Sequence, residues 1–194
     1  LVRLACSADG ATVVAEVMEN YADTVIFVQQ DNGEFLSVSE NLKGAFTYVD
    51  TLNGELIFLT QAQAPLGRLI AVKQGQTLAE GRTLVEECEM KLEGAIRHGD
   101  QLVLFYLKDA ASLVRVVGAD GKMAYDLPLP SASGACTLAM QNGRAIRKSD
   151  SLILEFESFV HSPMLLKLTG DQLTVLYQPN PKTAEDIEVR QIFT

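Results

Sequence analysis

Two kinds of turn recur along this chain with one shared period, and that regularity limits the possible folds more than any other feature. One set, Asp9-Gly10, Asn53-Gly54, Gly99-Asp100 and Ser149-Asp150, stands just before strongly apolar segments. A second set, Asn32-Gly33, Gln74-Gly75, Asp120-Gly121 and Thr169-Gly170, follows different apolar segments. Within each set the spacing is about 42 to 51 residues, the repeat length of four-stranded propeller blades. The turn residues have a local reason as well. Asp31-Asn32-Gly33-Glu34 and Ala119-Asp120-Gly121-Lys122 each join two apolar runs through residues that tolerate positive φ, as tight hairpins require.

Between the turns lie short apolar runs expected to be strands: Thr12–Val17, Thr24–Gln29, Leu56–Thr60, Arg68–Lys73, Gln101–Leu107, Ser112–Val117, Leu152–Glu157, Met164–Leu168 and Leu173–Tyr177. Several, such as Leu102–Leu107, Val25–Val28 and Leu56–Leu59, are apolar without alternation. A strand reads that way when both faces of its sheet are covered, and with few helical signals the cover must come from other sheets. The segment Leu84–Leu92 also fits helical spacing, so both readings stay open there. The expected fold is all-β: one partial β-propeller spanning residues 1–194, with about four four-stranded antiparallel blades. Their approximate limits are 1–42, 43–90, 91–133 and 134–194. Each repeat should run innermost strand, second strand, third strand, hairpin, outer strand. An incomplete ring exposes a blade face at each end, which predicts self-association, partial instability, or both.

Composition narrows the function classes. A formal net charge of −9 disfavours unaided nucleic-acid binding, and the nearest basic cluster, Arg144, Arg147 and Lys148, reads as a solvated loop. No apolar run reaches membrane-helix length, so no membrane partner is expected, and Leu1–Cys6 lacks the layout of a signal peptide. The absence of an initial Met suits a processed or excised piece. Cys6, Cys88 and Cys136 are far apart and fit neither a disulfide framework nor a zinc site. Free thiols in a reducing compartment follow, hence a cytoplasmic expectation, with the periplasm as the alternative.

Motifs for chemistry are missing. No Gly-x-Ser-x-Gly elbow occurs, and Ser131-Ala132-Ser133-Gly134-Ala135 lacks its first glycine. His98 and His161 are isolated and read as polar turn residues rather than members of a triad. No His or Cys pairing suggests a metal, and the carboxylate groups around Glu86–Glu93 and Glu185–Glu188 read as solvated edges. Neither catalytic nor metal nor cofactor residues are therefore expected in this chain, and no glycine-rich phosphate loop is present.

One stretch is more specific. Phe156-Glu157-Ser158-Phe159-Val160-His161-Ser162-Pro163-Met164-Leu165-Leu166 resembles the last-blade segment of the prolyl oligopeptidase family, where a strand runs through a Ser-Phe pair into Ser-Pro or Thr-Pro. Glu188–Thr194 is similar to the strand by which that family leaves its propeller. Leu102–Leu107 with Lys108-Asp109-Ala110 resembles the family's central strand and its following loop, and Ser7-Ala8-Asp9-Gly10 resembles the opening of an earlier blade. The Ser-x-Asp-Gly turn is common to many propellers. The likeness runs through almost the whole chain.

That resemblance implies roughly the last four blades of a seven-bladed propeller that caps an α/β-hydrolase domain. The family cleaves short peptides after proline with a Ser-Asp-His triad in the hydrolase domain, while the propeller keeps folded proteins out. It implies the parent chain's α/β-hydrolase domain as a partner, short peptides in the intact enzyme, and inactivity of these residues alone. The innermost strand with Ala95, Ile96 and Arg97 falls where a wall of the substrate cavity would be, which makes Ile96 and Arg97 the substrate-cavity candidates. The match departs at Ile96, where the family often has cysteine. Two rival readings remain: a freestanding propeller-type interaction module, and the propeller of a related peptidase that cuts after basic residues or releases dipeptides.

Overall fold

The computed structural model describes residues 1–179 apart from Tyr21, Asn142, Gly143 and Ser149. Four successive segments each form a sheet of antiparallel strands. The first holds β1 (Val2–Cys6), β2 (Val13–Met18), β3 (Thr24–Gln29) and β4 (Phe35–Ser37), paired in chain order. The second holds β5 (Phe46–Leu52), β6 (Glu55–Thr60), β7 (Arg68–Lys73) and β8 (Arg82–Val85), with a single 3-10 turn at Leu78–Glu80. The third holds β9 (Lys91–His98), β10 (Gln101–Lys108), β11 (Ala111–Gly118) and β12 (Met123–Asp126).

The fourth sheet starts at β13 (Gly134–Leu138) and is interrupted by a small hairpin of β14 (Met140–Gln141) and β15 (Arg144–Ala145). It resumes through β17 (Ser151–Ser158), β18 (His161–Thr169) and β19 (Gln172–Tyr177), and β16 (Arg147–Lys148) also pairs with β17. No α-helix occurs among the described residues. Leu84–Leu92, which helical spacing also fitted, is the end of β8, a loop and the start of β9.

The two turn sets have distinct places. Asp9-Gly10, Asn53-Gly54 and Gly99-Asp100 join the first and second strands of their sheets, whereas the second set joins the third and fourth. Ser149 of the fourth pair lies outside the described residues, as does the expected closing strand 188–194. Gly121 shows why glycine is needed at one of these tips. It has φ of 80°, and a Cβ there would fall on the backbone carbonyl of Leu84 in the preceding sheet.

Side-chain parity explains how the sheets stack. In β6, Leu56 and Phe58 join Val14, Ile26 and Val28 of the first sheet, while Ile57 faces Leu102 and Leu104 of the third. In β10, Val103 and Phe105 point the other way, onto Leu152, Leu154 and Phe156 of β17. Each central strand thus covers a neighbour with both faces, which is why its sequence does not alternate. The sheets are propeller blades stacked face to face. The first strands face the neighbouring sheets: β5 approaches β9 as well as β2 and β3, and β13 approaches β11.

Candidate functional site at the inner-strand hairpins

The first-to-second-strand hairpins of blades 1, 2 and 3 carry a polar cluster that crosses both intervening seams. Asp50 ends up there because β5 contains a bulge: its register against β6 shifts between Tyr48 and Asp50. The residue is 1% exposed. Asp50 Oδ1 accepts the Ala8 N–H of blade 1 at 3.0 Å and the Thr51 N–H at 2.8 Å. A carboxylate so deeply placed needs such donors, since an unpartnered buried charge is costly.

Arg97 reaches the same carboxylate from blade 3. Its Nη1 donates to the Thr51 carbonyl at 2.7 Å and lies 3.8 Å from Asp50 Oδ1, while Nε donates to the Gly99 carbonyl at 2.8 Å. The hydroxyls of Tyr48 and Thr51 are 2.6 Å apart, and Thr51 in turn meets Thr12 of blade 1 at 3.2 Å. Burial pushes the Tyr48 phenol up to about 12, with Asp50 and Asp9 adding to the rise. It stays protonated at any physiological pH. Nearby, the Ser7 hydroxyl and the Ala11 N–H hold the Asp9 carboxyl below its ordinary value. Carboxylate, hydroxyl and guanidinium groups are thus bonded across the seams, an arrangement that ties the three hairpins together.

A second buried carboxylate lies on the same seam. Glu16, in the otherwise apolar β2, is 7% exposed, and its Oε1 accepts the Tyr48 N–H at 2.7 Å. Arg3 stands 3.7 Å from its other oxygen. Burial raises the Glu16 carboxyl above its usual value, against the opposing pull of the Tyr48 amide and Arg3. Sequence reading passed over both acids. The available signal was a single acidic residue inside an apolar strand, at Val13–Met18 and again at Phe46–Leu52.

The residues singled out in the sequence are placed as follows. Ile96 is 4% exposed and its side chain packs into the core between blades 3 and 4. Arg97 points to the opposite face, into the polar cluster, with its side chain 23% exposed. At the other end of these inner strands, Thr47, Thr60, Gln61, Lys91 and Glu93 line a recess of about 250 Å³. His161 sits at the β17–β18 hairpin with Nδ1 2.9 Å from Ser158 Oγ. That hydroxyl also accepts the N–H groups of Val160 and His161, the pattern of a serine-closed turn. Ser131 and Ser133 contact each other at 3.3 Å. Among the described residues no group of three His, Cys, Asp or Glu side chains could hold a metal ion, and no helix is long and apolar enough to cross a membrane.

Comparison with known proteins agrees with this architecture. Residues 1–175 match the family model described as prolyl oligopeptidase, N-terminal β-propeller domain. A prolyl endopeptidase of Dictyostelium discoideum is 24% identical over 170 residues, which is 79% of this chain and 21% of that protein. A solved structure from a study of two prolyl endopeptidases and their inter-domain dynamics superposes with a TM-score of 0.76 at 22% identity. It covers 93% of this chain and 27% of its own. Prolyl oligopeptidase B from Galerina marginata, bound to a 25mer macrocyclization substrate, gives a TM-score of 0.75 at 13% identity, over 92% of this chain and 26% of that one. The chain spans only about a quarter of the length of these relatives. With the family model covering most of its residues and the stacked blades matching it, the chain belongs to the prolyl oligopeptidase family, in its N-terminal β-propeller domain.

Proposed function

We propose that these residues form the non-catalytic propeller portion of a prolyl oligopeptidase-like serine endopeptidase. In that role they limit access to an α/β-hydrolase domain, admitting short proline-containing peptides and excluding folded proteins. On this reading the whole of 1–194 belongs to one propeller, as roughly its last four blades, and its partner is the hydrolase domain of the same chain. The family match over residues 1–175 carries the proposal. The inner-strand cluster supports it, because a gate needs blade hairpins held at fixed spacing, and Asp50, Thr51 and Arg97 bond across two seams. Of the two cavity-wall residues, Arg97 is the one with side-chain surface to offer a peptide. Ile96 then supports the wall from behind, through blade 4.

The test has two parts. Purified chain should not hydrolyse a Gly-Pro reporter peptide, and turnover that copurifies with it and stops with a serine-directed inhibitor would defeat the inert-propeller reading. The natural coding sequence should continue past Thr194 into Gly-x-Ser-x-Gly followed by Asp and His. A stop codon there would leave an interaction module instead.

A further inference from the structure

The hairpin tips at the two ends of the blade stack are chemically unlike. An antiparallel meander puts its first-to-second and third-to-fourth hairpins at one end of the sheet and its second-to-third hairpin at the other. Tips at the first end are built from glycine and polar residues, as at Asn53-Gly54 and Asp120-Gly121. At the second end the tips carry Leu66 in blade 2 and Phe159 in blade 4, 36% and 88% exposed. Among the described residues no other large apolar side chain is as exposed as Phe159. A neighbouring blade does not cover this position. Blades 2 and 3 are each flanked on both sides, yet their tips at Pro65-Leu66 and Asp109-Ala110 are exposed as well. The polar recess bordered by Thr47, Thr60 and Lys91 lies at this same end.

The Phe159 tip is held in place. Ser158 Oγ accepts the N–H groups of Val160 at 3.3 Å and His161 at 3.1 Å, and lies 2.9 Å from His161 Nδ1. The His161 ring meets Phe156 edge-on, and Phe156 is buried in the layer between blades 3 and 4. We infer that Phe159 is an aromatic anchor, and that the end of the stack bearing it receives the α/β-hydrolase domain of the parent chain. Aromatic side chains carry much of the binding energy at interfaces. One that is fixed beforehand loses little conformational freedom when it docks. The chain spans about a quarter of the length of its relatives, so on the peptidase reading a large domain has to be seated on the propeller. The polar end, where Asp50 and Arg97 already bond hairpin to hairpin, offers no comparable apolar group at its tips. The inference rests on the peptidase reading for the identity of the partner.

Photo-cross-linking in the full-length protein from the natural gene tests this. Phe159→p-benzoylphenylalanine should cross-link within one polypeptide to the segment that carries Gly-x-Ser-x-Gly. Met123→p-benzoylphenylalanine, at an exposed site beside the Asp120-Gly121 turn of the polar end, should not reach that segment. Phe159→Ser should raise amide exchange at the cross-linked site about tenfold, while Met123→Ser leaves it unchanged. Links from position 159 that stay within the propeller, links that join two molecules, or no link at all would each overturn the inference. So would equal linking to the hydrolase segment from position 123. If that preparation still cleaves a Gly-Pro reporter, the peptidase reading survives and only the docking end fails. A coding sequence without a hydrolase domain removes both.

Discussion

The seam between blades 1 and 2 and the seam between blades 3 and 4 join similar sheets by different means. At the first, buried acids cross in both directions: Asp50 of blade 2 accepts an amide of blade 1, and Glu16 of blade 1 accepts an amide of blade 2. Asp23 adds a bond to the Gly44 N–H at 2.8 Å, and the Val38 carbonyl accepts the Leu78 N–H at 2.7 Å. At the second seam a continuous apolar layer runs from Ile96, Val103 and Phe105 to Leu152, Leu154, Phe156 and Met164, tied by the Cys136 N–H to Ser112 Oγ at 2.9 Å. Burial alone is non-directional and lets sheets slide. Hydrogen bonds across a seam fix which hairpin opposes which. The first seam adds positioning bonds to its own apolar layer of Val14, Ile26, Val28, Leu56 and Phe58, whereas the second rests mainly on cohesion.

The largest effect should come from the cohesive seam. Phe156 is 1% exposed and fills the layer between blades 3 and 4, with an edge contact to the His161 ring. Phe156→Ala should cost about 3–5 kcal/mol in urea unfolding, for a lost large side chain plus the cavity it leaves. A loss below about 1 kcal/mol would mean that the blades can close over the gap, and that this seam is not close-packed.

Asp50→Ala should come next, at about 2–3 kcal/mol. The Ala8 and Thr51 amides lose their acceptor and Arg97 loses a nearby counter-charge, moderated because Arg97 is partly solvated. The comparison sharpens with a second readout. Amide exchange should rise at the hairpin tips near Ala8 and Thr51 in Asp50→Ala, and stay unchanged there in Phe156→Ala. Exchange rising equally in both variants would erase the distinction between positioning and cohesion.

How much of this the sequence reveals depends on the range of each cause. Turn chemistry is local, so the periodic Gly, Asn and Asp pairs mark the blades, and the second and third strands stand out because two covering blades make them apolar throughout. The short outer strands, three residues at Phe35–Ser37 and four at Met123–Asp126, are too brief to register as runs. The inner strand Lys91–His98 is hidden from pattern reading by its Lys, Glu, Arg and His, and only the family resemblance marks a strand at Ala95–Arg97. Leu84, Val85, Cys88 and Leu92 mimic a helical stripe only because an outer strand and an inner strand meet there with that spacing. The polar cluster was not legible. Glu16 and Asp50 find their partners 32 and 42 residues away, in the adjoining blade, and Asp50 sits at a bulge that no local pattern announces.

Ser112→Ala removes the hydrogen bond that ties the apolar seam, and should cost about 1 kcal/mol. If it matched Asp50→Ala, polar fixing would be shared evenly between the seams, and the contrast drawn above would fail.

Glu16→Gln should have the smallest effect, and its sign depends on pH. Burial raises the folded-state value of this carboxyl above its ordinary 4.5, so the folded protein holds the proton more tightly than the unfolded chain. Its contribution to stability is therefore fully present below the ordinary value and is lost as pH climbs through the raised one. Above that window the wild type carries an ionised group in a mostly dry seam. Glutamine keeps a carbonyl oxygen for the Tyr48 N–H and carries no charge to desolvate, at the loss of the exposed Arg3 contact. Glu16→Gln should then equal or exceed wild-type stability at pH 7, by under about 1 kcal/mol, and should lose that advantage by pH 4. Denaturant melts of both proteins at the two pH values decide it. Were the variant weaker at pH 7 and equal at pH 4, the ionised carboxylate itself would be the stabilising species, and the seam between blades 1 and 2 would be an ion-paired joint rather than an amide-capped one.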